Sequence, residues 1–226
     1  MRRIEIEERL IDPDLKEAYN KIVSMLYILN EKDGHKTFTL SGCEPDVGNT
    51  TICIDLAIAF AELGKKTLIV DCDFKKEPEK KPLHQFADRG LFDYLLNGTG
   101  IDNVVYKTNF NGLYYIPGGK PVSNIISLLW SEKFNSFMEY AVNDFDFVFF
   151  DSSPLPYSSE ANILASKTSG TIITAQFNKS KTTQLNAAKR EIARSNANFL
   201  GVILNKTDKA GYDDYVKNFS YGKQIS

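Results

Sequence analysis

The sequence of 226 residues has no long hydrophobic run, and no stretch approaches the ~18 consecutive apolar residues of a membrane-spanning helix. It also has few cysteines, and Cys43, Cys53 and Cys72 show no Cys-x-x-Cys spacing. Such a set argues against a disulfide framework and fits a reducing compartment. The charged segment from Met1 to Glu5 lacks the apolar core of a secretory signal. We therefore expect a cytoplasmic protein without a membrane span of its own.

The chain carries little net charge. A formal charge of −2 and a pI near 5.8 give no global attraction to nucleic acid or anionic lipid, so we expect no nucleic-acid partner. No linker or internal repeat interrupts the chain, whose length suits one large α/β domain. We expect a single domain over residues 1–226, with an N-terminal helical segment over 1–35 and a tyrosine-containing tail over 206–226.

Strand and helix patterns alternate along the chain. Strands are predicted over residues 37–40, 66–70, 113–116, 146–150, 171–176 and 201–204. The main helices are predicted over 13–30, 51–63, 90–97, 123–130, 132–142 and 182–195. This alternation predicts an α/β fold, a doubly wound and mostly parallel sheet with helices on both faces. Ligands of such sheets bind at the carboxyl ends of the strands, where Asp71, Asp73, Asp151 and Asn205 fall.

The most informative motif is the stretch from Ser41 to Thr51, which reads Ser-Gly-Cys-Glu-Pro-Asp-Val-Gly-Asn-Thr-Thr. It joins a predicted strand to a long apolar helix, which is the context of a phosphate-binding P-loop. The usual loop ends in Gly-Lys-Ser/Thr, whereas this one ends in Gly48-Asn49-Thr50. Backbone N–H groups and a helix N-terminus can still face an anion. The loop itself supplies no ammonium group.

Taken together, these motifs resemble the cytoplasmic domain of the bacterial tyrosine kinases of capsule and exopolysaccharide biosynthesis. That family belongs to the deviant-Walker P-loop ATPases, with the partitioning and septum-site proteins. Asp71-Cys72-Asp73 resembles its second, A′ motif, and the segment from Phe149 to Pro154 resembles its Walker B motif. The resemblance covers nearly the whole chain and implies the P-loop NTPase fold.

The resemblance also implies a site for ATP or ADP with Mg²⁺. Thr50, Asp71 and Asp151 would hold the metal, directly or through water. The catalytic set would be Asp71, Asp73 and Asp151, with Asp73 orienting or deprotonating the attacking hydroxyl. The nucleotide-binding residues would be Pro45, Asp46, Val47, Gly48, Asn49, Thr50, Thr51 and Asn205. An alternative for Asp71 and Asp151 is capping of the helices that follow their strands.

Two further assignments stay open at the end of the chain. Tyr212, Tyr215 and Tyr221 are candidates for autophosphorylation, or else aromatic residues that pack a C-terminal helix on the sheet. The run from Asn205 to Asp208 matches the Asn-Lys-x-Asp motif with which GTPases read guanine. In the resembled family the asparagine at this position is expected to meet adenine instead.

The loop departs from the family pattern in ways that predict weak nucleotide binding. Asn49 replaces the lysine, and the loss of one charge-assisted hydrogen bond costs roughly 1.5–3 kcal/mol. Asp46 and Val47 replace the glycine and glutamate usual in the kinase branch. Lys75 or Lys76 is a candidate substitute cation, against the alternative of a solvated charge run.

The first predicted helix departs as well. The family's self-association motif is Glu-x-x-Arg-x-x-Arg, and this chain keeps Glu17 but has Asn20 and Val23 at the arginine positions. Arginine forks on carboxylates cannot form there. We therefore expect self-association as a monomer or dimer rather than as a ring.

Three functions remain. The favoured one is a tyrosine-kinase-like P-loop protein with weakened or lost ATP binding and catalysis, a pseudokinase or adaptor that regulates capsular or exopolysaccharide biosynthesis. Its expected partner is the cytoplasmic tail of a membrane polysaccharide co-polymerase (a chain-length regulator), which would recruit it to the inner face of the cell membrane. The alternatives are an active, autophosphorylating tyrosine kinase and a partitioning-type ATPase.

Overall fold

The computed structural model describes residues 3–7, 13–76, 89–120 and 122–207. Its strands are β1 (Arg3–Ile4), β2 (Thr37–Gly42), β3 (Thr67–Cys72), β4 (Tyr106–Thr108), β5 (Leu113–Ile116), β6 (Phe147–Ser152), β7 (Gly170–Gln176) and β8 (Phe199–Asn205). Its helices are α1 (Pro13–Asp33), α2 (Asn49–Glu62), α3 (Leu91–Asn97), α4 (Ile125–Leu129), α5 (Glu132–Asp144), α6 (Ser159–Lys167) and α7 (Thr182–Arg194). The predicted tail tyrosines Tyr212, Tyr215 and Tyr221 lie outside the described residues.

The described strands form one eight-stranded sheet in the order β1-β4-β5-β3-β6-β2-β7-β8. Every neighbouring pair is parallel except β4 and β5, which are antiparallel. This arrangement confirms the predicted mostly parallel α/β sheet. The sequence analysis missed β1 and β4, because two or three residues are too few to establish an alternating pattern.

Apolar side chains cover both faces of the sheet, as predicted for a doubly wound fold. On one face, α1 and α2 pack against Phe38, Phe147 and Phe149. The other face packs Val148 and Phe150 against α3, α5 and α6, and α7 covers the β7 end. The carboxyl ends of the central strands are thereby left as the place where polar side chains gather.

The cysteines belong to this interior. Cys43, Cys53 and Cys72 are all buried free thiols. Cys43 lies in the loop that follows β2, where its backbone N–H donates to the Thr174 carbonyl at 2.9 Å and holds the residue against β7. None of the helices in the described ranges is both long and apolar enough to cross a membrane.

Helix α1 is attached to the P-loop helix through its buried face. The Tyr19 hydroxyl donates to Asp55 Oδ2 of α2 at 2.9 Å. Val23, one of the two positions where the family motif has arginine, lies on the same side and is 4% exposed. Asn20, the other, faces solvent. The two replaced positions are therefore not equivalent, because only Asn20 is available to a neighbouring subunit.

We predict that Val23→Arg lowers the free energy of unfolding by roughly 3 kcal/mol, because it places an unpaired charge in an apolar interface. Asn20→Arg is the matched control on the exposed side of the same helix, and should change stability by less than about 0.5 kcal/mol. Urea denaturation of both variants checks this. Equal effects of the two substitutions would contradict the burial of Val23.

Candidate nucleotide and metal site

The loop between β2 and α2 has the shape of an anion-binding loop. Gly48 adopts a φ of 90° and Asp46 a φ of 60°, in the left-handed region where glycine is favoured and aspartate is tolerated. Within the described residues, the backbone N–H groups of residues 48–51 donate to no backbone carbonyl. Val47 packs its side chain in the core, so its contribution to a ligand would come from the backbone. The loop and the first turn of α2 therefore offer free N–H donors to a phosphate.

Asn49, at the position of the usual lysine, directs its side chain into the sheet. Its Nδ2 donates to the Leu40 carbonyl at 3.0 Å and to Asp151 Oδ1 at 2.8 Å. Its Oδ1 accepts from Thr174 Oγ1 at 2.9 Å. The amide thus joins the start of α2 to β2, β6 and β7. Because both Nδ2 and Oδ1 are hydrogen-bonded to the sheet, the Asn49 side chain stabilises the conformation of the loop.

The predicted metal carboxylates lie side by side. Asp71 on β3 and Asp151 on β6 are partners in the parallel register and are both almost fully buried. Paired residues on adjacent strands direct their side chains to the same face, here the face covered by α2. A second set of contacts holds Asp71: the Tyr115 hydroxyl donates to its Oδ2 at 3.2 Å, and the Asp73 backbone N–H donates to its Oδ1 at 3.1 Å.

The burial of Asp151 and its proximity to Asp71 affect the ionisation of Asp151. Burial raises the pKa of Asp151 to about 7, the adjacent Asp71 raises it as well, and hydrogen bonds from Thr50 and Asn49 oppose the rise. Both of these hydrogen-bonding partners are neutral. A divalent cation between the two carboxylates would remove this repulsion.

Asp73 lies just beyond the pair. Its Oδ1 accepts a hydrogen bond from Ser153 Oγ, so the ends of β3 and β6 are joined there too. The side chain is half-buried, in contrast to those of Asp71 and Asp151. Asp73 is therefore the most accessible of the three predicted catalytic carboxylates.

Of the two candidate cations, Lys75 is bound outside the loop. The Lys75 ammonium donates to the Tyr157 carbonyl, on the turn that follows β6. Lys206, which the sequence analysis did not consider as a cation for this loop, donates to the Asp46 carbonyl at 2.9 Å and to Gln176 Oε1 at 3.3 Å. The Asn205 amide donates to the Val47 carbonyl at 2.8 Å. Asn205 and Lys206 together hold the loop by its carbonyl groups, which leaves the N–H groups of the loop available.

The opposite end of the loop is held by α7 and by the turn that precedes it. Ser180 Oγ and Gln184 Nε2 each donate to a different oxygen of the Glu44 carboxylate, both at 2.6 Å. Sequence reasoning missed this contact and the Thr174 contact of Asn49, because both partners come from a distant part of the chain. No local signal predicts either of them.

The residues present fit Mg²⁺. This hard cation is commonly held by one or two carboxylates together with waters and phosphate oxygens, and Asp71, Asp151 and the Thr50 hydroxyl supply such oxygens. In the described part of the chain, no group of three or more His, Cys, Asp or Glu side chains is arranged to enclose a metal ion by itself. A metal ion held here would need further ligands from a nucleotide or from solvent.

A family model described as an AAA domain matches residues 36–202 of the 226 residues. The chain belongs to this AAA domain family. The matched part of the AAA domain runs from the residue before β2 into β8, so it contains the P-loop, both aspartate-bearing strands and most of the last strand.

The relatives of this AAA domain protein are bacterial tyrosine kinases, which confirms the resemblance found from the motifs. The tyrosine-protein kinase CpsD of Streptococcus agalactiae is 28% identical over 99% of this chain and 98% of its own length. The tyrosine-protein kinase Wzc of Salmonella typhimurium is 25% identical over 88% of this chain, but only 28% of that longer protein is matched.

Solved structures of similar fold agree with the predicted architecture. The kinase domain of the Escherichia coli tyrosine kinase ETK has a TM-score of 0.79 and 22% identity, over 85% of this chain and 76% of that one. The cell division protein MinD of Aquifex aeolicus has a TM-score of 0.62 and 21% identity, over 80% and 73%. Both likenesses support the P-loop NTPase-like fold of this AAA domain.

We predict that Asp151→Asn stabilises the metal-free protein at high pH. The raised pKa means that the folded state binds more protons than the unfolded state between about pH 4 and pH 7, so wild-type stability falls as pH rises through that window. The asparagine variant should lack this fall and be more stable by roughly 3–4 kcal/mol at pH 8. Denaturation curves at pH 5 and pH 8, with a chelator present, measure the difference.

Asp33→Asn, at an exposed position near the end of α1, serves as the control for the removal of one carboxylate. It should follow the wild-type pH dependence. If the Asp151→Asn variant also showed the wild-type pH dependence, Asp151 would not be the group that titrates in this window.

Proposed function

We propose that this protein is a tyrosine-kinase-like nucleotide-binding protein of capsular or exopolysaccharide biosynthesis, in which ATP binding and phosphoryl transfer are weakened or lost. The observation that carries this proposal is the position of the Asn49 side chain. The residue at the lysine position is neutral and is hydrogen-bonded to Asp151 and Thr174 in the sheet below the loop. The three aspartates and Thr50 that would hold and use a metal are all retained.

The geometry suggests how the remaining residues would act on a nucleotide. Free N–H groups of the loop and of the first turn of α2 would bind the phosphates. Thr50, Asp71 and Asp151 would hold Mg²⁺, which when bound neutralises charge on the phosphates. Asp73 would orient a tyrosine hydroxyl or accept its proton. The transition state would lack the positive charge that a loop lysine supplies, so the loss in rate should exceed the loss in affinity.

The proposed partner is the cytoplasmic tail of a membrane polysaccharide co-polymerase. The matched part makes up 28% of the length of Wzc, so that relative has a large additional region in the same polypeptide. We propose that a separate membrane protein supplies the corresponding region for this chain and recruits it to the inner face of the membrane. In this role the protein would act as an adaptor even with nucleotide weakly bound.

An active kinase is the second candidate, and a specific observation favours it. Asp71, Asp73 and Asp151 are all present and lie together at adjacent strand ends, which a protein that had lost every catalytic function would have no evident reason to keep. The test is whether Tyr212, Tyr215 or Tyr221 becomes autophosphorylated. The protein is incubated with Mg²⁺ and ATP, and mass spectrometry then detects phosphate on these tyrosines. Phosphorylation of the wild-type tail at a steady rate would favour this candidate over the adaptor.

We predict a dissociation constant for Mg·ATP on the order of hundreds of micromolar or weaker, because the lysine charge is absent. Asn49→Lys should restore only part of the affinity, since it also breaks the bonds of Asn49 to Leu40, Asp151 and Thr174. Asp46 and Val47 remain unchanged in that variant. Isothermal titration calorimetry of both proteins decides the matter.

A sub-micromolar constant for the wild-type protein would show that another cation replaces the lysine. Measuring the dissociation constant of the Lys206→Met variant would then test whether that cation is the Lys206 ammonium, which binds the Asp46 carbonyl. Lys16→Met, on the exposed side of α1, is the control for the loss of a positive charge elsewhere.

We predict a monomer or dimer rather than a closed ring. A ring repeats the same heterologous contact at every interface, and here one arginine position of the family motif is neutral and the other is buried in α1. Light scattering at tens of micromolar, with and without Mg·ATP, gives the mass. A mass of about eight subunits would show that other contacts close a ring.

A further inference from the structure

Tyr115 is the third residue of β5, and it pairs with Ile69 in the parallel register with β3. Ile69 and Asp71 are two positions apart, so their side chains lie on the same face of the sheet. Strand β5 lies beside β3, on the side opposite to β6. Tyr115 therefore faces the pair of Asp71 and Asp151 from β5. It is 3% exposed, with its ring in the apolar core beside α2.

The Tyr115 hydroxyl is directed at a predicted metal ligand. It donates to Asp71 Oδ2 at 3.2 Å, while the Asp73 N–H donates to Oδ1. Because both oxygens accept a hydrogen bond, the rotation of the carboxylate is restrained. Each carboxylate oxygen has a second lone pair, so these hydrogen bonds leave room for metal ligation.

We propose that Tyr115 is a positioning residue that orients Asp71 for a divalent cation. This inference rests on the proposed function in one respect, namely that Asp71 and Asp151 hold the cation. Hydrogen-bonding partners of metal ligands typically contribute 10–100-fold to metal affinity, because they fix the ligand and favour its binding form. Tyr115 makes such a contact to Asp71 from β5, through its hydroxyl group.

Tyr115→Phe tests the proposal, since it removes the hydroxyl and keeps the ring in the core. The matched control is Tyr106→Phe. Tyr106 is also buried, at 1% exposure, and its hydroxyl donates to the Arg89 carbonyl at 3.1 Å, outside the carboxyl pair. The Tyr106 hydroxyl also accepts a hydrogen bond from the Arg89 N–H at 3.3 Å, so Tyr106→Phe loses two hydrogen bonds and Tyr115→Phe loses one. The control should therefore lose at least as much stability in thermal denaturation as Tyr115→Phe.

The readout is the binding of Mn²⁺ in the presence of ADP, which is measured by electron paramagnetic resonance. In Tyr115→Phe the dissociation constant for Mn²⁺ should rise about tenfold, and the spectrum of bound Mn²⁺ should broaden as its ligand geometry relaxes. Tyr106→Phe should match the wild type in both respects. The affinity for ADP with a chelator present should be the same in all three proteins, because no loop contact is changed.

Unchanged Mn²⁺ affinity and spectrum in Tyr115→Phe would overturn the positioning role while leaving the proposed function standing. Equal weakening in both variants would overturn it too, since the cause would then be stability. A wild-type protein that binds ADP but no Mn²⁺ would overturn both this inference and the proposed metal role of the two aspartates.

Discussion

The register between β3 and β6 governs the site, because it sets Asp71 directly beside Asp151 under the first turn of α2. Two carboxyl groups brought together in a buried place repel each other unless a proton, a cation or hydrogen-bond donors intervene. Each neighbouring feature can be understood as a response to that repulsion. Asn49 and Thr50 donate to Asp151, and Tyr115 donates to Asp71.

Asn49 holds the start of α2 through its neutral amide group. A lysine here would extend towards phosphate, whereas the shorter amide forms bonds to β2, β6 and β7. These bonds hold the start of α2 in place without a ligand. The loop can therefore keep its shape and its free N–H groups even where the affinity for nucleotide is low.

Contacts from distant strands and helices also keep the loop in shape. Glu44 is held by Ser180 and Gln184, and the carbonyl groups of Asp46 and Val47 are held by Lys206 and Asn205. The second group follows directly from β8, the edge strand. The loop is thereby connected to the end of β8 through these two side chains.

The sequence by itself determined the α/β alternation, the position of the P-loop and the aspartates that follow β3 and β6, since these depend on local patterns and short motifs. It also revealed the missing lysine. The tertiary structure alone decided that Val23 is buried while Asn20 is exposed, that Tyr115 rather than Tyr114 faces Asp71, and that Asn49 bonds to Thr174. The physical reason is that these relationships depend on strand order, register and helix packing, which join residues 44 to 125 positions apart in the chain.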